Sequence, residues 1–261
     1  MKEHAILFST DMVRALLNGT KTQTRRTVNS KKLVTSKDCR FDSYHENEYY
    51  FEIFENNEPT EKYFSIGKCP YGQVGDVLWV RETFYAYGHW VKNGTTKKGT
   101  QKWKFQDWTL ATSKAYLYAD CPPKQLEKKR EITGWRKRPS LFMPKHACRI
   151  KLQITERSIE RLHEISEADA IAEGVEEIEG DMNWRPSFYD PDSGGHRNCY
   201  RNYLDDMEHG YPTRKPDGSF EHFPYEAKES YYTLWEKLNG KESLDSNPFV
   251  WVVEFKRIEQ N

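Results

Sequence analysis

The sequence predicts an α+β fold: a small mixed β-barrel with helices on its rim and long insertions between its strands. Three observations lead there. Short hydrophobic runs of strand length recur at Ala5–Phe8, Val77–Glu82 and Phe249–Phe255. Single helices with clear start and stop signals separate them, rather than regular βαβ alternation. Long polar, turn-rich stretches fall between these elements, near 29–66, 84–137 and 176–228, and read as insertions into one domain spanning residues 1–261.

In chain order, Ala5 to Phe8 reads as a short buried strand. Ser9 or Thr10 caps a helix whose apolar face is Met12, Val13, Leu16 and Leu17, and Gly19 suits its left-handed end. A strand through Thr22–Val28 follows. Between Asn29 and Ser65, the aromatics Phe41, Tyr44, Tyr49, Tyr50, Phe51 and Phe54 predict a hairpin or two short strands. The turn-rich run Cys69–Asp76 leads into the strand Val77–Glu82. Residues Tyr85 to Lys137 are lysine-rich, with Trp90, Trp103, Trp108 and Trp135 among the charges, and read as short strands and long loops. Cys148 to Ile154 is a strand ending near Ile159. Ser166 caps a helix with Asp169 at the third helical position, and Gly174 stops it. Residues Glu176 to Lys228, rich in Gly, Pro, Asp and Asn, read as an insertion. A helix over Glu229–Leu238 and a closing strand over Phe249–Phe255 complete the chain.

Composition narrows the function classes. Lys+Arg and Asp+Glu are both 40, so the net charge is zero, which excludes a wholly basic nucleic-acid glove but not a local basic groove. The five cysteines show no C-x-x-C pair and the eight histidines no ligand spacing, so no metal and no cofactor is expected. No leader-like or membrane-spanning run is visible, and a reduced, cytoplasmic setting is expected. Aromatic residues make up 14% of a chain that is only 36% hydrophobic, so they either build the core or form a stacking surface.

The stretch Gly19-Thr20-Lys21-Thr22-Gln23-Thr24-Arg25-Arg26 holds the densest chemistry. A helix interior would waste its stiff β-branched hydroxyls, so a turn feeding a strand is expected. On residue type alone, Lys21 suits an exposed turn, Thr24 a packing position and Glu173 a solvated helix end. The last position is mildly unfavourable for the helix dipole.

Six ordered motifs resemble the ASCH-domain family, and most closely its long bacteriophage and prophage form. They are Leu7-Phe8-Ser9, Met12-Val13-Arg14-Ala15, Gly19-x-Lys21-Thr22-x-Thr24-Arg25-Arg26, Gly75-Asp76-x-Leu78-Trp79-Val80-Arg81-Glu82, Ile165-Ser166-Glu167-x-Asp169-Ala170-x-x-Glu173-Gly174 and Asn247-Pro248-x-Val250-Trp251-Val252-x-Glu254-Phe255. Each alone is weak; the ordered set is specific. The resemblance implies a PUA-like barrel with a cleft for a base, a nucleoside or an RNA strand, acting in the cytoplasm (the host's, if phage-encoded). It also implies an N4-acetylcytidine amidohydrolase-like site. There Thr24 would be the nucleophile, Lys21 its base and Glu173 the acid or the group that holds the lysine in register. Other members bind or cleave RNA, so an RNA-binding module and a metal-independent ribonuclease stand as alternatives.

Around that catalytic set, Arg25 and Arg26 are candidates to meet phosphate or to tune the lysine. Trp79 and Trp251 are candidates to stack a base, though each sits in a hydrophobic strand that favours core packing. Arg81 and Glu82 suit either the cleft wall or a structural ion pair. The Arg136–Arg138 run suits either a nucleic-acid backbone or a solvated loop.

Overall fold

The structure is a computed structural model that describes residues 1–29, 39–45, 48–55, 57–178, 189–190, 195–196, 199–204 and 226–258. Most of the insertion expected at 176–228 therefore lies outside the described residues. The fold is mixed and dominated by sheet, in keeping with the α+β expectation. The chain forms two compact units. One comprises Met1–Arg14, Val77–Gln153 and Arg257–Asn261; the other comprises Ala15–Asp76 and Ile154–Lys256.

In the first unit, β1 (Glu3–Leu7) lies parallel to β6 (Val77–Arg81), with Ile6 opposite Val80. Residues Lys151–Gln153, which open β11 (Lys151–Arg161), pair antiparallel with β6. A second sheet is built on β7 (Phe84–Thr95). It pairs with β8 (Gln101–Asp107), β9 (Leu117–Tyr118) and β10 (Gly134–Arg138), all antiparallel. The region expected as short strands and long loops holds one long strand with shorter partners, and residues 108–133 are mostly turns and loop. The alternation of β7 is hard to read because its aromatics fall on both faces. Phe84, Ala86, Met143 and Ala147 form a buried cluster at one end of this sheet.

In the second unit, the sheet order is β11, β16 (Phe249–Ile258), β2 (Gln23–Thr27). Helix α1 (Thr10–Asn18) begins after Ser9 and ends at Gly19, whose φ of +80° is the left-handed turn expected there. Helix α2 (Glu167–Ala172) carries the full capping box, with Asp169 N–H donating to Ser166 Oγ and Ser166 N–H to Asp169 Oδ2. Helix α3 (Ala227–Asn239) buries Tyr231, Leu234 and Trp235, and the short α4 (Lys241–Asp245) follows.

The 29–65 stretch holds three strands rather than two: β3 (Cys39–His45), β4 (Glu48–Glu55) and β5 (Glu58–Gly67). The Asn57 turn, at φ +67°, adds the third strand from a sequence with little apolar period. Tyr49 and Phe51 are core residues, Tyr49 meeting Trp251 at 4.6 Å and Phe51 meeting Phe249 at 4.8 Å, both edge-on, whereas Phe41 and Tyr44 are exposed. No helix among the described residues is long and apolar enough to cross a membrane.

Candidate active site

The chain from α1 into β2 sets the position of Lys21. After Gly19, the N–H groups of Thr20 and Lys21 both donate to Ala15 O, at 3.0 and 3.2 Å, which closes the helix end. Thr22 N–H donates to Ala172 O at 2.8 Å, and Thr22 O accepts from Phe255 N–H at 2.9 Å. Lys21 is thereby pinned beneath the carboxyl end of α2. Gly174 makes that approach feasible. Its φ is +84°, and a Cβ there would lie 2.8 Å from Ala15 Cβ and 2.9 Å from Lys21 Cβ. Glycine is required twice over, for the left-handed backbone and for the close contact.

At the centre, Lys21 Nζ donates to Glu173 O at 2.7 Å and to Glu173 Oε2 at 2.8 Å. The two side chains are 0% and 2% exposed. Burial pushes the Lys21 ammonium below its ordinary pKa, against the opposing pull of Glu173; Arg26 and Arg25 lower it further.

Arg25 joins from β2. It pairs with Glu160 (Nη2 to Oε1, 2.5 Å), Glu173 (Nη1 to Oε1, 3.4 Å) and Asp169 (Nη2 to Oδ2, 3.4 Å). Strand β16 lies between β2 and β11, with Val252 opposite Arg25, so the long guanidinium arm spans it to reach Glu160. Gln23, two residues earlier on the same strand face, donates to Asp169 O at 2.8 Å. Burial raises the Glu160 pKa, with Arg25 opposing. The buried Tyr231 phenol is raised well above its usual value, first by burial and then by the charge on Glu173. Two cations and three carboxylates thus share one largely dry site.

Of the residues named from sequence, the structure brings Lys21, Arg25 and Glu173 together. Thr24 is fully buried, and its Oγ1 has no hydrogen-bond partner among the described residues. As the strand neighbour of Gln23 and Arg25 it lies on the other face of β2. Arg26 is half-buried, with Nη1 donating to Arg25 O at 3.5 Å. Trp251 is a core residue, packed by Tyr49.

Trp79, Arg81 and Glu82 belong to the first unit. Arg81 covers Trp79 at 5.5 Å, and buried Glu82 is held by both arms of Arg149 at 2.8 Å, which in turn grips Asp120 at 2.8 Å. Glu82 is therefore a structural ion-pair residue.

Sequence reasoning missed Glu160, the second role of Asp169, and Tyr231. Glu160 sits in the charged tail Glu156–Arg161, which looks solvated, and its partner is 135 residues away. The available signal was the polar alternation Lys21, Gln23, Arg25. Glu160 also lines a cavity of about 490 Å3, together with Cys39, Phe41, Phe54, Ile159 and Arg161.

Chemically, the site offers a lysine whose proton is held less tightly than usual and a carboxylate fixed on it; the buried Thr24 hydroxyl lies on the face of β2 opposite Gln23 and Arg25. Comparison of the chain with protein-family models, curated proteins and solved structures gives no match.

Proposed function

We propose that this protein is a hydrolase of the N4-acyl amide of a cytosine nucleoside or related modified base, built on a PUA-like barrel of the ASCH type. The observation that carries this reading is the buried Lys21–Glu173 pair, with the lysine pKa depressed by burial. A lowered pKa moves the amine toward the neutral form that a general base needs. Two hydrogen bonds to Glu173 fix the nitrogen of Lys21.

In the reaction, Thr24 Oγ attacks the acyl carbon and Lys21 takes its proton. The tetrahedral intermediate then expels the exocyclic N4 amine, which receives a proton from the Lys21–Glu173 pair. Water, deprotonated by the same lysine, hydrolyses the acyl-threonine to the carboxylic acid and restores Thr24. Catalytic hydrogen bonds are often long before substrate arrives and tighten in the complex. Because Thr24 lies on the face of β2 opposite Gln23 and Arg25, the reading requires β2 to rearrange when the acyl group binds, so that Thr24 Oγ1 reaches Lys21 Nζ. The cavity beside Glu160 is of a size that holds a nucleoside; Lys21, Thr24 and Glu173 do not line it, and the acyl group must pass Glu160 and Arg25 to reach them.

The test is cytidine release from N4-acetylcytidine by wild type, Thr24→Val and Thr24→Ser. Wild type should turn over. The near-isosteric Val should lose at least about a hundredfold in kcat, and Ser should retain part of it. No turnover by folded wild type, or full turnover by Thr24→Val, sinks the proposal. The rate should rise with pH as Lys21 loses its proton, and it should level off below the pKa of 10.5 that marks an ordinary lysine.

A further inference from the structure

The first unit contains a second feature that the hydrolase reading does not use. A cavity of about 780 Å3 opens on the β7–β8–β10 sheet, walled by Trp90, Trp103, Phe105, Phe142 and Arg138, with Lys104 at its edge. Cross-strand pairing creates the wall, since Trp90 lies opposite Phe105 and Lys92 opposite Trp103.

Arg138 is the unusual group in it. It is only 9% exposed, yet no carboxylate or carbonyl among the described residues accepts a hydrogen bond from it. Instead its guanidinium lies over Phe105 at 4.5 Å, Trp90 at 4.7 Å and Phe142 at 5.1 Å. Burial pushes its pKa down, and Asp107 opposes that only from beyond ion-pair range. The Asp107 oxygens are already engaged: Oδ1 accepts from Thr109 N–H and Oγ1, and Oδ2 from the Tyr116 hydroxyl.

Neighbouring arginines show how this chain satisfies a buried guanidinium. Arg136, two residues earlier, donates to the carbonyls of Glu127, Lys129, Arg130 and Ile132. Arg149 holds two carboxylates, one with each arm pair. The basic run read from sequence as one patch therefore splits: Arg136 ties down a loop, Lys137 faces solvent and Arg138 faces the cavity. Stacking uses the faces of a guanidinium and leaves its in-plane N–H donors for an anion, and their fork matches phosphate oxygens. A buried cation without an anion is costly, and bound phosphate would offset that cost.

We propose that this cavity binds a nucleotide unit, its base stacked among Trp90, Trp103 and Phe105 and its phosphate held by Arg138. That chemistry is shared by a free mononucleotide and by a single strand of DNA or RNA. The inference stands apart from the hydrolase reading, because its residues and its readout are different.

The test is fluorescence anisotropy of labelled oligothymidylate and oligouridylate, about ten nucleotides long, titrated with the full chain at low salt. Wild type should bind, and Arg138→Gln and Trp103→Ala should each weaken binding about tenfold or more. Lys137→Gln, which removes the same charge one residue away, should change binding less than about twofold. Displacement by uridine monophosphate at equal affinity per nucleotide assigns a free nucleotide; displacement by strand alone assigns a strand. Circular dichroism checks that each variant is folded, and Trp103→Ala serves if Arg138→Gln is not. Three results overturn the proposal: no binding of strand or monophosphate by wild type, equal loss in Lys137→Gln and Arg138→Gln, or displacement by phosphate-free uridine as effective as by the monophosphate.

Discussion

Arg25 and Arg138 are both buried guanidiniums, one in each unit, and their surroundings are opposite. Arg25 meets three carboxylates and helps to hold a lysine; Arg138 meets three aromatic rings and no anion among the described residues. A buried charge with matched partners fixes local geometry, whereas one ringed by π faces keeps its donors for something else. The same mutation should cost much more stability at Arg25 than at Arg138.

The largest effect is expected for Arg25→Gln. It leaves half-buried Glu160 without its cation and buried Glu173 with Lys21 alone, and removing one partner of such a network costs about 3 kcal/mol. Urea denaturation measures it. A loss under about 1 kcal/mol would show that the network contributes little. Gly174→Ala comes next. The positive φ and the clash with Lys21 should cost about 1–3 kcal/mol, and activity should fall with it as α2 is pushed off the lysine. Normal stability and turnover in this variant would contradict the close approach that positions Lys21. For Arg138→Gln, stability should change by less than about 1 kcal/mol, because only cation–π contacts are lost and a desolvated charge is relieved. A loss matching that of Arg25→Gln would erase the contrast between the two sites.

The smallest expected effect concerns acid. Arg149 holds the Asp120 carboxyl below its ordinary pKa of 3.8. The unfolded chain therefore binds the proton first, so this contribution to stability is full above that pH and fades as pH falls through the folded-state value. Arg149→Met should flatten that part of the stability–pH curve. An unchanged acid limb would mean that the Arg149–Asp120 bond contributes nothing.

Much of the second unit was legible in sequence because its signals are local. Ser166, Asp169 and Gly174 mark both ends of α2, Gly19 marks the end of α1, and β16 opens with the unbroken hydrophobic run Phe249–Val253. The convergence of Lys21 with Glu173 came only from the ordered motifs, since 152 residues separate them. What was not legible is long-range or two-sided. Glu160 reaches Arg25 only because β16 intervenes between their strands. Strand β7 was hidden because its aromatics Phe84, Tyr85, Tyr87 and Trp90 fall on both faces and show no clean alternation. The buried state of Arg138 follows from three rings that come from β7, β8 and the segment after β10. Residue type left Trp251 and Glu82 open between a binding face and a structural role; Trp251 packs against Tyr49 and Glu82 pairs with Arg149.

The central claim is that the Lys21–Glu173 pair performs chemistry and is not merely a buried ion pair. The double variant Lys21→Met/Glu173→Leu separates these roles, because apolar replacement of a buried pair often leaves stability within about 2 kcal/mol of wild type. Assayed on N4-acetylcytidine beside a thermal melt, it should be folded and release no cytidine. A folded double variant that turns over at the wild-type rate would contradict the account.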